Sequence, residues 1–268
     1  MTAVALTIAG SDSSGGAGIQ ADLKTFAALG VYGASALAAL TAQNTQGVTA
    51  IHDVPPDFIT AQIDAVFADL DVGAVKIGML SRAEAVEAVA VALERHRAHN
   101  IVLDPVMVAT SGAALIASSA VAALKTRLIP RADVITPNLP EAAALLGASP
   151  ARDEAEMEQQ ARALCDQGAS AVLIKGGHGA GRESVDLLVS ASGVVRFAAP
   201  RVLTRNTHGS GCTLSAAIAA GLAKGLTLEQ SVREAKAYIT AAIAGADSLN
   251  VGHGHGPLHH FHQFWRTR

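Results

Sequence analysis

The chain of 268 residues is half apolar and carries a formal net charge of −3. This length allows a large hydrophobic core, and we expect one domain spanning residues 1–268. The charge is close to neutral and includes no basic block, which argues against nucleic acid or a membrane surface as a partner. No apolar run approaches the roughly 18–20 residues that a membrane span requires.

The N-terminal apolar run and the cysteine content both favour a cytoplasmic protein. The run has no basic segment and is interrupted at Ser11 and Asp12, so it lacks the pattern of a signal peptide. Cys165 and Cys212 are too few for a disulfide framework, which fits a reducing compartment.

Short apolar runs alternate with helical patterns along most of the chain. The predicted strands cover residues 4–9, 34–41, 74–78, 101–103, 134–136 and 171–174, followed by a hairpin of 184–189 and 194–198. The predicted helices cover residues 19–29, 55–70, 82–98, 117–128, 138–146, 153–167, 214–223 and 228–244. This alternation predicts an α/β fold with a mostly parallel central sheet and helices on both faces.

A glycine-rich loop, residues 10–18, joins the first predicted strand to the first helix. It matches neither the Walker pattern nor the dinucleotide-binding pattern. By themselves these residues indicate either a close approach of the backbone to another group or a flexible turn. The helix that follows carries Asp22 near its start, where the helix dipole also stabilises a carboxylate.

Several predicted strands are followed by side chains that suit a ligand site, at the end where open α/β sheets bind ligands. Gln43 offers a donor and an acceptor that complement the edge of an aminopyrimidine. Asp104 and Lys175 follow later strands, and a nucleotide phosphate could reach Lys175. Each has a plainer interpretation: a backbone-bound amide for Gln43, a cap for Asp104 and a solvated lysine for Lys175. Met79 could equally be an ordinary core residue.

Asn138 and Glu141 have the spacing of a capping box at the start of a predicted helix. The same residues supply oxygen atoms, which are the ligands that Mg²⁺ prefers. The residues alone leave both interpretations open.

The stretch 206–213, Asn-Thr-His-Gly-Ser-Gly-Cys-Thr, leads directly into the predicted helix 214–223. The first turn of a helix has unpaired N–H groups and the positive end of the dipole, and Gly209 and Gly211 leave those groups open to a ligand. The pattern therefore predicts an anion pocket. Cys212 lies at its edge, where we expect a depressed thiol pKa. A tight turn with a packing thiol is equally compatible with these residues.

The same stretch resembles the signature of the ribokinase-like superfamily, in the version carried by hydroxymethylpyrimidine/phosphomethylpyrimidine kinases. Sugar kinases of that superfamily have an aspartate as the base at the end of this motif. The pyrimidine kinases and some pyridoxal kinases have a cysteine, as this chain does at Cys212. Residues 9–22 resemble the opening motif of the pyrimidine kinases, and the likeness extends from Leu6 to Phe264. It implies a ribokinase-like three-layer sandwich.

The resemblance also implies roles for individual residues. Those expected to hold the acceptor substrate are Gly10, Asp22, Gln43, Met79 and Val106. Those expected to bind ATP are Asn138, Lys175 and Thr207. The residues expected to place Mg²⁺ are Asp104 and Glu141. The expected catalytic residues are Cys212 as the base, with Gly209, Ser210 and Gly211 around the transferring phosphoryl group. The residues expected to form a mobile loop over the site are Thr110, Ser111 and Gly112.

The implied function is ATP-dependent phosphorylation of 4-amino-5-hydroxymethyl-2-methylpyrimidine, and then of its monophosphate, in thiamine biosynthesis. A pyridoxal or pyridoxine kinase of the same superfamily is one alternative, and a non-catalytic pyrimidine or nucleotide sensor is another. Gln43 with Met79 favours the aminopyrimidine. We expect a homodimer. The histidine-rich C-terminal segment resembles the ending of the family and fits no standard zinc pattern.

Overall fold

The computed structural model describes residues 1–107, 116–178 and 181–265. Its strands are β1 (Val4–Asp12), β2 (Tyr32–Asn44), β3 (Gly47–Asp53), β4 (Ala74–Ile77), β5 (Ile101–Leu103), β6 (Val134–Ile135), β7 (Ala171–Lys175), β8 (Glu183–Ser190) and β9 (Gly193–Pro200). Its helices are α1 (Gly18–Ala28), α2 (Pro56–Phe67), α3 (Ala83–Arg95), α4 (Ser118–Ala123), α5 (Leu139–Leu146), α6 (Glu154–Asp166), α7 (Ser210–Ala223) and α8 (Leu228–Ala244). The loop expected at Thr110, Ser111 and Gly112 lies outside the described residues.

The strands form one sheet in the order β3-β2-β1-β4-β5-β6-β7-β8-β9. Neighbouring strands from β2 to β7 are parallel, and antiparallel partners extend the sheet at both edges. The predicted, mostly parallel sheet is therefore confirmed. Since β2 lies on one side of β1 and β4 on the other, the strand order reverses between β1 and β4. Open α/β sheets bind ligands at such a point, beyond the carboxyl ends of the strands.

Helices cover both faces of the sheet because its central strands are apolar on both sides. Leu6 and Ile77 belong to the core on the side of α2 to α6, whereas Ala5 and Val102 belong to the core on the side of α1, α7 and α8. The result is the expected three-layer sandwich. Among the described helices, none combines the length and the apolarity that crossing a membrane requires.

Helix α7 packs across β1, β4 and β5 at the centre of the sheet. All its residues from Thr213 to Leu222 are buried, and most are small enough to allow close packing. At Gly221 a Cβ atom would lie only 2.6 Å from the hydroxyl oxygen of Ser231 in α8. This packing holds the N-terminus of α7 at the carboxyl ends of the strands.

Two differences from the predicted elements affect the site. Strand β2 continues to Asn44 and pairs with β3, an edge strand that was not predicted. Because most β3 side chains are exposed, the strand lacks the buried face that would give it an alternating pattern. Helix α7 begins at Ser210 instead of at residue 214, so Cys212 lies in its first turn.

Candidate active site

A pocket of about 670 Å³ lies at the carboxyl ends of the central strands, beside the N-terminus of α7. Of the described residues that were expected from the sequence to belong to a site, all except Asp22 line this pocket. They are Gly10, Gln43, Met79, Asp104, Val106, Asn138, Glu141, Lys175, Thr207, Gly209, Ser210, Gly211 and Cys212. The fold thus brings these residues together, while their individual roles stay predictions.

A tight glycine turn leads into α7 at the wall of the pocket. Gly209 has a φ of +83°, in the left-handed region that glycine adopts without strain. A Cβ atom at this position would also lie 1.9 Å from the carbonyl oxygen of Gly16. In the turn that follows, the N–H groups of Gly211 and Cys212 have no acceptor within the helix. Together with the positive end of the dipole, they form a place for an anion.

Lys175, at the end of β7, forms an ion pair with Asp104, which follows β5, at the pocket wall. Lys175 Nζ lies 2.7 Å from Asp104 Oδ1 and 3.9 Å from Glu141 Oε2. Burial acts to raise the pKa of Asp104, but Lys175 and Lys76 outweigh it and hold that pKa below its usual value. Burial raises the pKa of Glu141 to about 7, because Lys175 offsets it only in part and Asp104 adds to it.

Asp104 and Glu141 suit a magnesium ion that is bound together with phosphates. They are carboxylates on either side of one lysine, and Mg²⁺ in nucleotide sites usually takes only one or two protein carboxylates besides phosphate oxygens and waters. Within the described part of the chain, no group of three or more metal-ligating side chains occurs. The donor set therefore fits a cation that brings its other ligands with it.

The capping interpretation of Asn138 and Glu141 is confirmed. The N–H of Glu141 donates to Asn138 Oδ1 at 2.9 Å, and the N–H of Asn138 donates to Glu141 Oε2 at 2.8 Å. The two residues also line the pocket. The cap at the start of α5 therefore holds the Glu141 carboxylate close to Lys175. The structural role of Glu141 thus also places its carboxylate at the site.

The expected depression of the Cys212 pKa is wrong. Burial raises the pKa of this thiol to about 11; Lys76 opposes the rise, and the carboxylates of Asp22 and Asp104 add to it. The expectation considered the helix N-terminus alone. Burial of a thiolate next to two carboxylates destabilises it by more free energy than the helix N-terminus supplies in stabilisation. Cys212 is therefore a protonated thiol at neutral pH.

The expectation that Asp22 contacts the substrate is also corrected. Its side chain has no exposed surface; it accepts hydrogen bonds from the Thr7 hydroxyl at 2.6 Å and from Lys76 Nζ at 2.8 Å. Its Oδ1 atom is buried and has no hydrogen-bond partner among the described residues. Asp22 is thus enclosed between α1 and the sheet, bonded to Thr7 of β1 and Lys76 of β4, and it does not line the pocket.

The acceptor end of the pocket is formed by the ends of β1, β2 and β4. The Thr41 hydroxyl donates a hydrogen bond to Gln43 Oε1 at 3.0 Å. The Ser13 hydroxyl donates to the carbonyl oxygen of Gln43 at 2.7 Å and accepts from its N–H at 2.9 Å. A Cβ atom at Gly10 would lie 2.7 Å from Met79 Cε, so glycine is what allows the thioether to lie against β1. The arrangement offers an amide edge and a thioether surface to a flat ring.

Several buried charged or polar side chains of this region were not expected from the sequence, among them Asp12, Lys76 and His208, and the paired Asp186 and Lys236 at the pocket wall. A signal existed for Lys76, since a lysine inside a buried parallel strand requires a counter-ion. Asp12 precedes Ser-Ser-Gly-Gly, which is typical of an aspartate that bonds the backbone of its own turn. No local pattern predicts that Asp12 pairs with His208, 196 residues away along the chain.

One histidine of the C-terminal segment, His260, contacts the first turn of α7. His259 and His260 are buried, and His260 Nε2 lies 3.0 Å from the Thr213 hydroxyl. Burial, with a contribution from Lys24, lowers the pKa of His260 to about 4. The imidazole is therefore neutral at physiological pH.

The N-terminus of α7 and the glycine turn before it are called the mouth of α7. The sheet, its two helical layers and the pocket at this mouth define an α/β kinase of the ribokinase-like class. The phosphomethylpyrimidine kinase family matches residues 12–259, and the chain belongs to this family. The resemblance found in the sequence is thereby confirmed.

Individual relatives agree with this assignment. The chain is 61% identical to the hydroxymethylpyrimidine/phosphomethylpyrimidine kinase of Rhizobium meliloti (strain 1021), over 99% of this chain and 100% of the relative. It is 56% identical to the enzyme of the same name from Escherichia coli (strain K12), over 97% and 98% of the two chains. An ADP complex of Bacillus subtilis pyridoxal kinase superimposes with a TM-score of 0.91 at 36% identity, covering 99% of this chain and 100% of the other.

Proposed function

We propose that the chain uses ATP to phosphorylate 4-amino-5-hydroxymethyl-2-methylpyrimidine to its monophosphate and then the monophosphate to the diphosphate. The observation that carries the proposal is that the N-terminus of α7, the group formed by Lys175, Asp104 and Glu141, and the side chain of Gln43 all line one pocket. An anion site beside a fixed cation suits phosphoryl transfer. The names of the two closely similar relatives support the pyrimidine as the acceptor.

The nucleotide side of the pocket supplies positive charge. The N–H groups of Gly209, Gly211 and Cys212 face the charge that develops on the transferring phosphoryl group, whereas the N–H of Ser210 already donates to the carbonyl oxygen of Thr207 at 3.1 Å. Lys175 adds a fixed ammonium. Asp104 and Glu141 would hold Mg²⁺, which when bound neutralises charge on the phosphate oxygens. The other residues proposed to contact the nucleotide are Asn138 and Thr207.

The acceptor side positions the hydroxymethyl group. Gln43 pairs with the aminopyrimidine edge, and the residues proposed to lie against the ring are Gly10, Met79 and Val106. Cys212 accepts the proton of the hydroxymethyl group. Because the resting thiol has a pKa of about 11, only its deprotonated form is the base. In the second step the phosphate of the monophosphate attacks, and since this nucleophile is already anionic, Cys212 matters less.

A pyridoxine kinase is the second candidate, because the fold superimposes closely on a pyridoxal kinase. Turnover with ATP and Mg²⁺ on hydroxymethylpyrimidine, its monophosphate and pyridoxine separates the two. We expect both pyrimidines to exceed pyridoxine in kcat/KM, and Gln43→Leu to lower pyrimidine turnover most. Higher kcat/KM on pyridoxine would contradict the proposal. ATP binding without transfer to any acceptor would indicate the sensor instead.

The single domain, the homodimer and the cytoplasmic location stay predictions. Light scattering of the purified chain measures the oligomeric state, and a mass of one subunit would contradict the homodimer.

A further inference from the structure

The glycine-rich loop after β1 encloses a carboxylate of its own chain. Asp12 Oδ1 accepts hydrogen bonds from the N–H and the hydroxyl of Ser14, at 2.8 and 2.7 Å. Its Oδ2 accepts from the N–H of Gly16 at 3.0 Å and of Ala17 at 2.8 Å. The Nε2 atom of His208 lies 2.8 Å from the same Oδ2. Main-chain amides that could have cradled a phosphate are thus occupied by Asp12.

His208 brings the loop before α7 into direct contact with this first loop. Its Nε2 must carry the proton to donate to the carboxylate. A Cβ atom at Gly16 would lie 2.4 Å from His208 Cδ2, and one at Gly209 would lie 1.9 Å from the Gly16 carbonyl oxygen. The same Nε2 atom lies 3.4 Å from Gln43 Nε2, and because it donates to Asp12 this second approach is a contact between two donors and not a hydrogen bond. The imidazole therefore stands between the acceptor end of the pocket and the mouth of α7.

The contact between Asp12 and His208 is protected from water. Asp12 is 2% exposed and His208 is 6% exposed. Burial acts to raise the pKa of Asp12, but the hydrogen bonds from His208 and Ser14 outweigh it and lower that pKa to about 2. The carboxylate is therefore charged at every pH at which the enzyme would work, and the tie between the two loops is permanent.

We propose that Asp12 and His208 are positioning residues for phosphoryl transfer, which hold the amides of residues 209–212 in register with the acceptor that Gln43 binds. The inference rests on the proposed function, since it concerns the same pocket. Neither residue needs to touch the reacting atoms for this role. Transfer depends on alignment, and a displacement of about 1 Å can cost about a hundredfold in rate.

The test compares Asp12→Asn, His208→Leu, His208→Gln and the double variant Asp12→Asn/His208→Leu with the wild type. A second, partly exposed Asp–His pair serves as the control away from the pocket: His96 Nε2 lies 2.6 Å from Asp64 Oδ1 between α2 and α3, and neither residue lines the pocket. The variants of this control pair are Asp64→Asn and His96→Leu. The measurements are kcat, KM for ATP and for the acceptor, and Tm.

We expect Asp12→Asn and His208→Leu each to lower kcat by about a hundredfold, with KM for ATP changed less than about threefold. The double variant should be no slower than the slower single variant, because both residues serve one alignment. His208→Gln retains a donor near the Nε2 position and should recover at least about a tenth of wild-type kcat. The control variants should lower Tm alone and leave kcat within about twofold.

Three results would overturn the inference: kcat within about twofold of wild type in either single variant while it is folded, losses that multiply in the double variant, or an equal loss of kcat in the control pair. Failure of the proposed function is visible separately, in the wild-type chain. If the wild type prefers pyridoxine, the proposed substrate is wrong and the same variants are compared on that acceptor. If the wild type transfers phosphate to no acceptor, both proposals are rejected.

Discussion

Lys76 Nζ lies 2.8 Å from Asp22 Oδ2, and neither side chain has any exposed surface. Lys76 comes from β4 and Asp22 from α1, so the pair joins the sheet to a helical layer beneath the pocket. Burial acts to lower the pKa of Lys76, but Asp22 outweighs it, with Cys212 and Asp104 adding to the rise, and the pKa is raised. The fold thus keeps a permanent positive charge under the thiol that we propose as the base.

Lys76→Met should lower the free energy of unfolding by about 3–5 kcal/mol, because it leaves the Asp22 carboxylate buried without its counter-ion. Adding Asp22→Asn should recover part of that loss, since the pair is then replaced by neutral groups. Urea unfolding measures both effects. Glu229→Gln, which breaks the exposed pair with Arg233, is the control and should cost far less. An equal cost at the two sites would show that the buried pair does not have the role described.

His260 should make the folded state sensitive to mild acid. Its pKa is about 4 in the folded chain, against 6.5 for an ordinary histidine, so below pH 6.5 the unfolded chain binds a proton that the folded chain does not. Stability should therefore fall as the pH drops from about 6.5 to about 4, by about 3 kcal/mol in total. In His260→Gln the loss of stability between these two pH values should be absent. In His52→Gln, a change at an exposed histidine, the loss should remain. Identical slopes in His260→Gln and the wild type would contradict the burial of a neutral imidazole.

Gly209 and Gly225 offer a comparison between two left-handed glycines. Their φ values are +83° and +84°, but a Cβ atom at Gly209 would lie 1.9 Å from a carbonyl oxygen, whereas none at Gly225 would meet an atom within 4 Å. Both alanine variants carry a backbone cost of about 1–2 kcal/mol. Only Gly209→Ala should also displace the mouth of α7 and lower kcat, by about a hundredfold. Equal kcat in the two variants would mean that the close approach to Gly16 is not needed for transfer.

The pocket could be predicted from the sequence because its residues follow apolar strands. Asp104 and Lys175 each come directly after a predicted strand, and parallel strands end at one edge of the sheet. The surroundings of the pocket could not be predicted in this way. The burial of Asp22 depends on how α1 packs on β1 and β2. The raised pKa of Cys212 depends on its burial and on carboxylates far away in sequence. The contact of Asp12 with His208 likewise requires the relative placement of two distant loops.

The most direct test of the proposed chemistry is the rate of both phosphorylations in the wild type, Cys212→Ala and Cys212→Ser between about pH 7 and about pH 10. In the wild type the first step should accelerate with rising pH, because a thiol with a pKa of about 11 becomes a base only as it loses its proton. Cys212→Ala should lower the first step by about a hundredfold or more and abolish that acceleration, while the second step falls much less. An unimpaired first step in Cys212→Ala, or the same pH profile with and without the thiol, would contradict the account.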